Sequence, residues 1–186
     1  MTDAARGRDD NRDFELIAQW KGGDERAATE LVERHATALA RFAASVGVQS
    51  GGDVDELVQD TFVRAFGSLD GFRGDSSFRT WLFTIQRRLL VDRRRSERRR
   101  KGGLELKDDD AATEFDALDA LVAGETAQRL QQMMARLSPT QREVFALRVG
   151  EGLSYKEIAV AAGTTEGAAR VHYHNAMRVV KELLDE

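Results

Sequence analysis

Apolar residues recur every three or four positions through most of the chain, which is the periodicity of helices with one buried face. The clearest stripe spans about 53–69 and has polar residues on its opposite face. Similar stripes predict a helix over about 14–20, another from near Asp24, and one that Ser76 or Ser77 caps. Strand patterns are scarce and the chain has one proline, so we predict an all-α fold.

The last part of the chain carries two helix-start signals of the capping-box type, Ser138 with Gln141 and Ser154 with Glu157. In the first box a proline follows the cap, at the position where helices tolerate it best. Gly163 then supplies a residue suited to a turn with positive φ. Two short helices joined by such a turn, and followed by a third periodic stretch, predict a helix-turn-helix, although small three-helix units also serve as protein-docking modules.

The final predicted helix has two distinct faces. Its core stripe consists of Ala169, Tyr173, Ala176, Val180 and Leu183. The outward face combines cationic, amide and small apolar side chains, which suit guanine, adenine and thymine edges respectively. Its members are Arg170, Val171, His172, His174, Asn175 and Arg178.

Charge is distributed very unevenly along the 186 residues, although the net charge is only −4. Residues 85–101 hold nine basic and two acidic side chains, whereas residues 102–125 hold eight acidic and one basic side chain. We interpret 102–125 as a flexible acidic linker, with a short amphipathic helix at about 114–123, that separates two small domains. The polar residues 1–13 lack the apolar core of a signal peptide, and we predict a disordered tail there.

The composition argues against an enzyme. The chain has no cysteine, which excludes disulfides and thiolate sites and suits the reducing cytoplasm. The histidines His35, His172 and His174 show no metal-ligand spacing, and no glycine-rich phosphate loop occurs. No apolar run is long enough to insert into a membrane. We therefore expect no catalytic residue, cofactor or metal site.

The arginine run extends an apolar-periodic helix and follows several aromatic residues. Rings that stack bases and guanidiniums that hold the backbone are typical of single-stranded nucleic-acid sites. Phe78 and Trp81 also fall on the apolar stripe, so a structural role competes with base stacking for both. A solvated basic tail is the plainer interpretation of the run itself.

Five segments carry a resemblance to a known family. In the first half they are residues 55–66 (DELVQDTFVRAF), 72–82 (FRGDSSFRTWL) and 91–93 (VDR); in the second half they are 137–145 (LSPTQREVF) and 151–159 (EGLSYKEIA). Together, and in this order, they resemble the extracytoplasmic-function (ECF) group of bacterial sigma factors.

The resemblance implies that residues 14–101 bind core RNA polymerase and the minus-ten promoter element, and that 126–186 read the minus-thirty-five element. It implies core RNA polymerase and promoter DNA as partners, and leaves an anti-sigma factor as a candidate partner. The residues implied to dock on polymerase are Asp55, Glu56, Gln59 and Asp60. Those implied to bind the minus-ten element are Phe72, Ser76, Ser77, Phe78, Arg79, Trp81, Arg87, Arg88, Arg93 and Arg94. Those implied to bind the minus-thirty-five element are Lys156, Thr165, Arg170, Val171, His172, His174, Asn175 and Arg178.

Three positions depart from the common pattern of the family. Arg88 stands where asparagine is common, and His172 and Asn175 stand where arginines are common. The departures imply weaker phosphate binding by the last helix and an altered base preference at both promoter elements.

Two other functions remain open from the residues alone. A stand-alone helix-turn-helix regulator would bind duplex DNA as a dimer, and an interaction protein would use the basic run to bind RNA or an acidic partner. A stand-alone regulator has no need of the acidic and polar face of the third helix, which favours the sigma-factor interpretation.

Overall fold

The computed structural model describes residues 3–48, 50–100 and 132–184, and within these ranges all regular structure is helical. The all-α prediction is confirmed. The acidic linker predicted at 102–125, including its short helix at about 114–123, lies outside the described residues. The described ranges form two helical units, here called the first domain (3–100) and the second domain (132–184).

The first domain consists of four helices and one short 3-10 turn. The helices are α1 (Asp3–Lys21), α2 (Glu25–Ser45), α3 (Gly51–Gly67) and α4 (Phe78–Arg100), and the turn is Leu69–Gly71. Consecutive helices pack on one another, α1 on α2, α2 on α3 and α3 on α4. Their apolar stripes meet in one core, because each stripe must leave water to stabilise its helix.

Serine caps set the starts of two of these helices. Ser50 Oγ accepts a hydrogen bond from Asp53 N at 3.0 Å, so α3 begins at Gly51, two residues before the apolar stripe identified in the sequence. Ser77, rather than Ser76, caps α4 through a 3.1 Å bond from Thr80 N. Each cap satisfies a backbone N–H that has no partner within the helix.

The prediction of a disordered tail over 1–13 is wrong for the residues that the structure describes, because α1 is already helical there. Tertiary contacts explain the difference. Asp13 is buried and accepts hydrogen bonds from Arg34 Nε and from the ring Nε2 of His35, both at 2.8 Å. A buried carboxylate needs such partners, and both come from α2, so the tail sequence alone gives no sign of them.

The second domain is a helix-turn-helix with a preceding helix. Its elements are α5 (Pro139–Phe145), which continues as a π-helical turn (Ala146–Gly150), then α6 (Tyr155–Ala162) and α7 (Glu166–Leu184). Between α6 and α7 the chain turns at Gly163, whose φ of 61° lies in the left-handed region that favours glycine. Both predicted capping boxes are present at the starts of α5 and α6.

One arginine is part of the second domain's core. Arg142 is 2% exposed, and it donates to the carbonyl oxygens of Met134 at 2.8 Å and Leu137 at 3.3 Å. These carbonyls lie where the helical turn at 132–135 ends. Met134 O also accepts a 3.2 Å hydrogen bond from Leu137 N, so Arg142 adds a second donor there. Burial, and then the charge of Arg94, lower the pKa of Arg142 below its ordinary value.

The two domains lie against each other. Helix α4 of the first domain packs along α6 of the second, and α2 contacts the π-helical turn. By contrast, α7 packs mainly on α5 and α6. The domain contact therefore covers one side of α4 and leaves the outer face of α7 open.

Candidate functional site

The predicted polymerase-binding residues lie on α3. Asp55, Glu56 and Gln59 are exposed and Asp60 is half-buried. Arg93 of α4 pairs with Asp60 at 2.8 Å and with Glu56 at 3.3 Å. Two of the four predicted residues are thus tied to α4, and the other two remain directed to solvent.

An exposed valine extends this face. Val63 is 66% exposed and follows Gln59 by four residues and Asp55 by eight, which places the three on one side of α3. The sequence prediction omitted Val63. The available signal was that it is a large apolar residue outside the buried stripe.

The predicted minus-ten aromatics form a cluster at the start of α4. The ring centroids of Phe72 and Trp81 are 5.0 Å apart, and Phe14 of α1 stacks on Phe72 at 5.8 Å. Phe72, Trp81, Ser76 and Arg88 line a depression of about 350 Å³. Phe14 was not predicted to join this cluster.

The structure places Phe78 in the core of the first domain and not on the open surface of the predicted minus-ten site. Its side chain is fully buried, with its ring edge-on to Phe72 at 5.6 Å and to His35 at 5.6 Å. A ring packed on all sides offers no face for a base to stack on, so Phe78 supports the depression from below. Ser77 is likewise engaged, since its hydroxyl caps α4 and donates to Thr80 Oγ1.

Three predicted strand-binding arginines of α4 point at the second domain. Arg87 Nε donates to Glu143 at 2.9 Å, and Arg94 lies 3.7 Å from the same carboxylate. Arg79 donates to Glu151. Neither glutamate was singled out in the sequence, because contacts between residues so far apart in the chain leave no local pattern.

Glu151 has a further partner in α2. Arg41 forms a two-pronged pair with it, Nε to Oε1 at 2.7 Å and Nη2 to Oε2 at 2.9 Å. The hydrogen bond with Glu151 is the main reason that the pKa of Arg41 is raised. Arg88, in contrast, is exposed and forms no ion pair with the described residues.

Helix α7 presents the predicted minus-thirty-five residues to solvent. Arg170, Val171, His174 and Arg178 are exposed, whereas His172 and Asn175 are half-buried. The predicted core stripe is buried at Ala169, Ala176 and Val180 and half-buried at Tyr173. Of the two predicted residues outside α7, Lys156 is exposed, and Thr165 Oγ1 accepts a hydrogen bond from Ala168 N at 3.1 Å.

A tyrosine organises the start of this face. The guanidiniums of Arg170 and Arg148 lie over the Tyr155 ring, 4.6 and 4.7 Å from its centroid. Arg170 also pairs with Glu166 at 2.5 Å. These contacts restrict the Arg170 side chain before any ligand is bound, and neither Tyr155 nor Arg148 was among the predicted site residues.

Comparisons with known proteins agree with this geometry. Residues 31–100 match Sigma-70 region 2, and residues 127–179 match Sigma-70, region 4. The RNA polymerase sigma factor NccH of Alcaligenes xylosoxydans xylosoxydans is 33% identical over 180 residues, 95% of this chain and 96% of that protein. The ECF RNA polymerase sigma-E factor of Escherichia coli is 28% identical over 178 residues, 89% of this chain and 90% of that protein. The chain belongs to the ECF group of RNA polymerase sigma factors.

Solved structures of sigma factors share the architecture. CnrH in complex with the cytosolic domain of CnrY matches with a TM-score of 0.70 at 32% identity, over 94% of this chain and 97% of that one. RpoE in complex with the anti-sigma factor NepR from Bartonella quintana matches with a TM-score of 0.66 at 26% identity, over 84% and 96%. As a member of this group, the sigma factor supports promoter-specific initiation of transcription, and sigma factors are not enzymes.

Within the described residues, every helix is too short or too polar to span a bilayer. Histidines and carboxylates in the same ranges form no group of three or more that could hold a metal ion.

Proposed function

We propose that the two domains of this sigma factor divide the promoter between them. Residues 14–101 bind core RNA polymerase and the melted minus-ten element, residues 126–186 read the minus-thirty-five element, and 102–125 tether them. One observation supports this assignment most strongly: the aromatic depression of Phe72 and Trp81 lies at the start of α4, next to the arginines of the same helix. We propose that the protein works in the cytoplasm, where RNA polymerase is found.

The depression is suited to one unstacked base. Phe72 and Trp81 are half-buried, so each ring is held in place but keeps part of its surface open. Stacking on such a ring contributes about 1–3 kcal/mol, which offsets the few kcal/mol that extrusion of a base costs. Arg88 at the rim would hold the neighbouring phosphate, and the arginines from Arg79 to Arg94 would follow the strand.

The α3 face is proposed to bind core polymerase. Asp55, Gln59 and Val63 form an exposed row in which an apolar side chain lies beside polar ones. A surface of this composition is typical of protein–protein contacts. Arg93 restrains Glu56 and Asp60 beside that row, so these two acids are proposed to shape the face through α4.

Helix α7 is proposed to enter the major groove. Arg170 and Val171 are exposed near its N-terminus, as required of a recognition helix whose first turns contact base edges. Arg170, preorganised by Tyr155 and Glu166, would contact a base edge near the start of the helix, and Arg178, two turns later, would contact a phosphate.

An anti-sigma factor is a further proposed partner. Two similar sigma factors were solved as complexes, one with the cytosolic domain of CnrY and one with the anti-sigma factor NepR. The likeness of this chain to both supports an equivalent protein partner here.

The test is binding and transcription by reconstituted holoenzyme. A random DNA library selected with the holoenzyme first provides the promoter. Arg87→Ala with Arg88→Ala should weaken opening at the minus-ten element, and Arg170→Ala with Arg178→Ala should remove the preference at minus-thirty-five. Each lost base contact should cost about 1–3 kcal/mol. Both pairs should leave core binding intact.

Arg26→Ala, an exposed arginine of α2, serves as the matched control. The assignment is wrong if either double variant loses core binding while promoter selectivity is kept. It is also wrong if the control variant is impaired as strongly as the two test variants.

A further inference from the structure

One aromatic ring of the first domain lies on its surface. Phe14 of α1 is 41% exposed, and among the residues that the structure describes it is the one aromatic in the set of exposed large apolar side chains. The core does not need it, because Leu16 and Ile17 are buried and supply the apolar side of α1 at this point. Single exposed apolar residues are common, so only the surroundings of Phe14 can show whether the ring has a function.

The ring of Phe14 extends a row of aromatic side chains. It stacks on Phe72 with the ring centroids 5.8 Å apart and the ring planes at 19°, and the centroid of Phe72 lies 5.0 Å from that of Trp81. Phe72 is therefore the middle ring, between Trp81 of α4 and Phe14 of α1. Phe72 and Trp81 line the depression that the proposed function assigns to an unstacked base. Phe14 stands beside that depression, at the exposed end of the row.

The loop before α4 is shaped to hold this ring. Gly74 has a φ of 78°, in the left-handed region that favours glycine. A Cβ added to Gly74 would lie 3.2 Å from Phe14 Cε1 and 3.5 Å from Phe14 Cζ, and the nearer of these distances is tighter than an ordinary carbon–carbon contact. The bare backbone at Gly74 therefore lets the loop rest against the ring. The ring is held in one orientation before any ligand arrives, which lowers the entropic cost of binding.

A nucleobase is the ligand that fits such a ring. Phe72 covers one part of the Phe14 ring, and solvent reaches another part. Flat aromatic partners prefer an offset stacked arrangement, which is how Phe14 already lies on Phe72. A base that stacked on the open side of Phe14 would continue the row that begins at Trp81.

The charges beside the ring favour stacking over phosphate binding as the main contact. Arg73 of the loop before α4 is exposed and forms no ion pair with the described residues, so it can hold one phosphate. Asp75 is exposed on the same loop, and Asp10 lies one turn before Phe14 on α1. Two acids against one arginine give no general attraction for a phosphate backbone.

We propose that Phe14 is a second stacking platform for the melted minus-ten strand, and that it binds the base next to the one extruded into the depression. The inference rests on the proposed minus-ten role of the first domain and adds α1 to the site. One row of rings then holds two neighbouring bases, so the strand stays open over more than a single position. Because every base has a π-face, Phe14 stabilises the open strand with little preference for sequence.

The first experiment measures binding of holoenzyme to fork DNA, which carries a duplex minus-thirty-five element and a single-stranded minus-ten element from the selected promoter. Phe14→Leu keeps an apolar side chain but removes the ring, and it should weaken binding about fivefold or more. Phe14→Tyr keeps the ring and should restore most of that loss. Gln19→Leu, an exposed change in α1, is the matched control and should bind as the unmodified chain does. Equal affinity of the Phe14→Leu variant and the unmodified chain would overturn the proposal.

Removal of single bases from the fork shows which base Phe14 contacts. An abasic site at each minus-ten position is combined with Phe14→Leu, and separately with Trp81→Leu, which locates the base in the depression. Once the neighbouring base is absent, Phe14→Leu should cause no further loss, because both changes remove the same contact. If the effect of Phe14→Leu disappears instead at the position that couples to Trp81, the ring only supports Phe72 and the proposal is overturned. Coupling to no position would overturn it as well.

Salt dependence separates the ring from its neighbouring cation. Removal of one phosphate contact on a single strand lowers the slope of log affinity against log salt by about 0.7. Phe14→Leu should therefore weaken binding at an unchanged slope, whereas Arg73→Ala should reduce the slope by about 0.7. A slope reduced as much in Phe14→Leu would mean that the ring acts through phosphate contacts, which contradicts the proposal.

The same variants distinguish this inference from the function it rests on. If Trp81→Leu and Arg88→Ala weaken binding of the fork but Phe14→Leu does not, only the second platform is wrong. If none of the three changes affects binding of the fork while core binding is kept, the minus-ten role of the first domain fails, and the inference fails with it.

Discussion

Replacement of Arg142 by methionine should remove much of the stability of the second domain while the first domain keeps its own. The guanidinium is buried and holds the carbonyls of Met134 and Leu137 at 2.8 and 3.3 Å. Hydrogen bonds from a charged donor contribute about 1.5–3 kcal/mol each, so two of them amount to about 3–6 kcal/mol. Removal of a costly buried charge offsets part of this loss, which leaves about 3 kcal/mol.

That loss is large for so small a unit. At about 0.05–0.15 kcal/mol per residue, a domain the length of 132–184 has a stability of about 3–8 kcal/mol. Hydrogen exchange followed by mass spectrometry measures the effect for each domain separately. Amides of α5 to α7 should exchange about a hundredfold faster in the Arg142→Met variant. Amides of α1 to α3 in the first domain should exchange at the rate of the unmodified chain.

Lys181→Met, an exposed change in α7, is the matched control and should alter exchange little. Exchange within threefold of the unmodified chain in Arg142→Met would refute the reasoning, because the buried guanidinium would then contribute almost nothing. Faster exchange throughout both domains would show instead that they unfold as one unit.

Three further predictions concern the proposed interfaces. Tyr155→Ala should weaken minus-thirty-five binding several-fold, whereas Tyr155→Phe should keep it, because the ring restrains Arg170; fluorescence anisotropy with duplex DNA measures both. Asp55→Ala combined with Val63→Asp should weaken core binding at least about tenfold in a pull-down titration, and normal affinity would contradict the assigned face. Arg88→Asn should change the base preference of holoenzyme at minus-ten, and an unchanged selected sequence would mean that Arg88 lies outside the reading site.

Features set by neighbouring residues were predictable from the sequence. The capping boxes of Ser138 with Gln141 and Ser154 with Glu157 join residues three positions apart. The residue types at this spacing are therefore enough to indicate a helix start. The apolar stripes of α2 to α4 and of α7 likewise depend on residues only three or four positions apart. The helical fold of each domain was therefore accessible.

Features set by distant residues were not predictable in this way. The start of α1 depends on pairs such as Arg12 with Glu30, joined at 2.8 Å between two helices. The two carboxylates that cover α4 come from the other domain. Phe78 could not be assigned from the sequence either. Its position suits both the binding loop before α4 and the buried stripe of α4, and only the packing around it shows that it is buried.

Run-off transcription tests the central claim most directly. Core RNA polymerase alone should give no defined transcript from a promoter selected with the holoenzyme. Addition of this chain should produce a transcript of one defined start, which disappears when either promoter element is scrambled. If the chain binds core polymerase yet gives no promoter-dependent transcript, or gives the same transcript from scrambled elements, the two-domain promoter account is wrong.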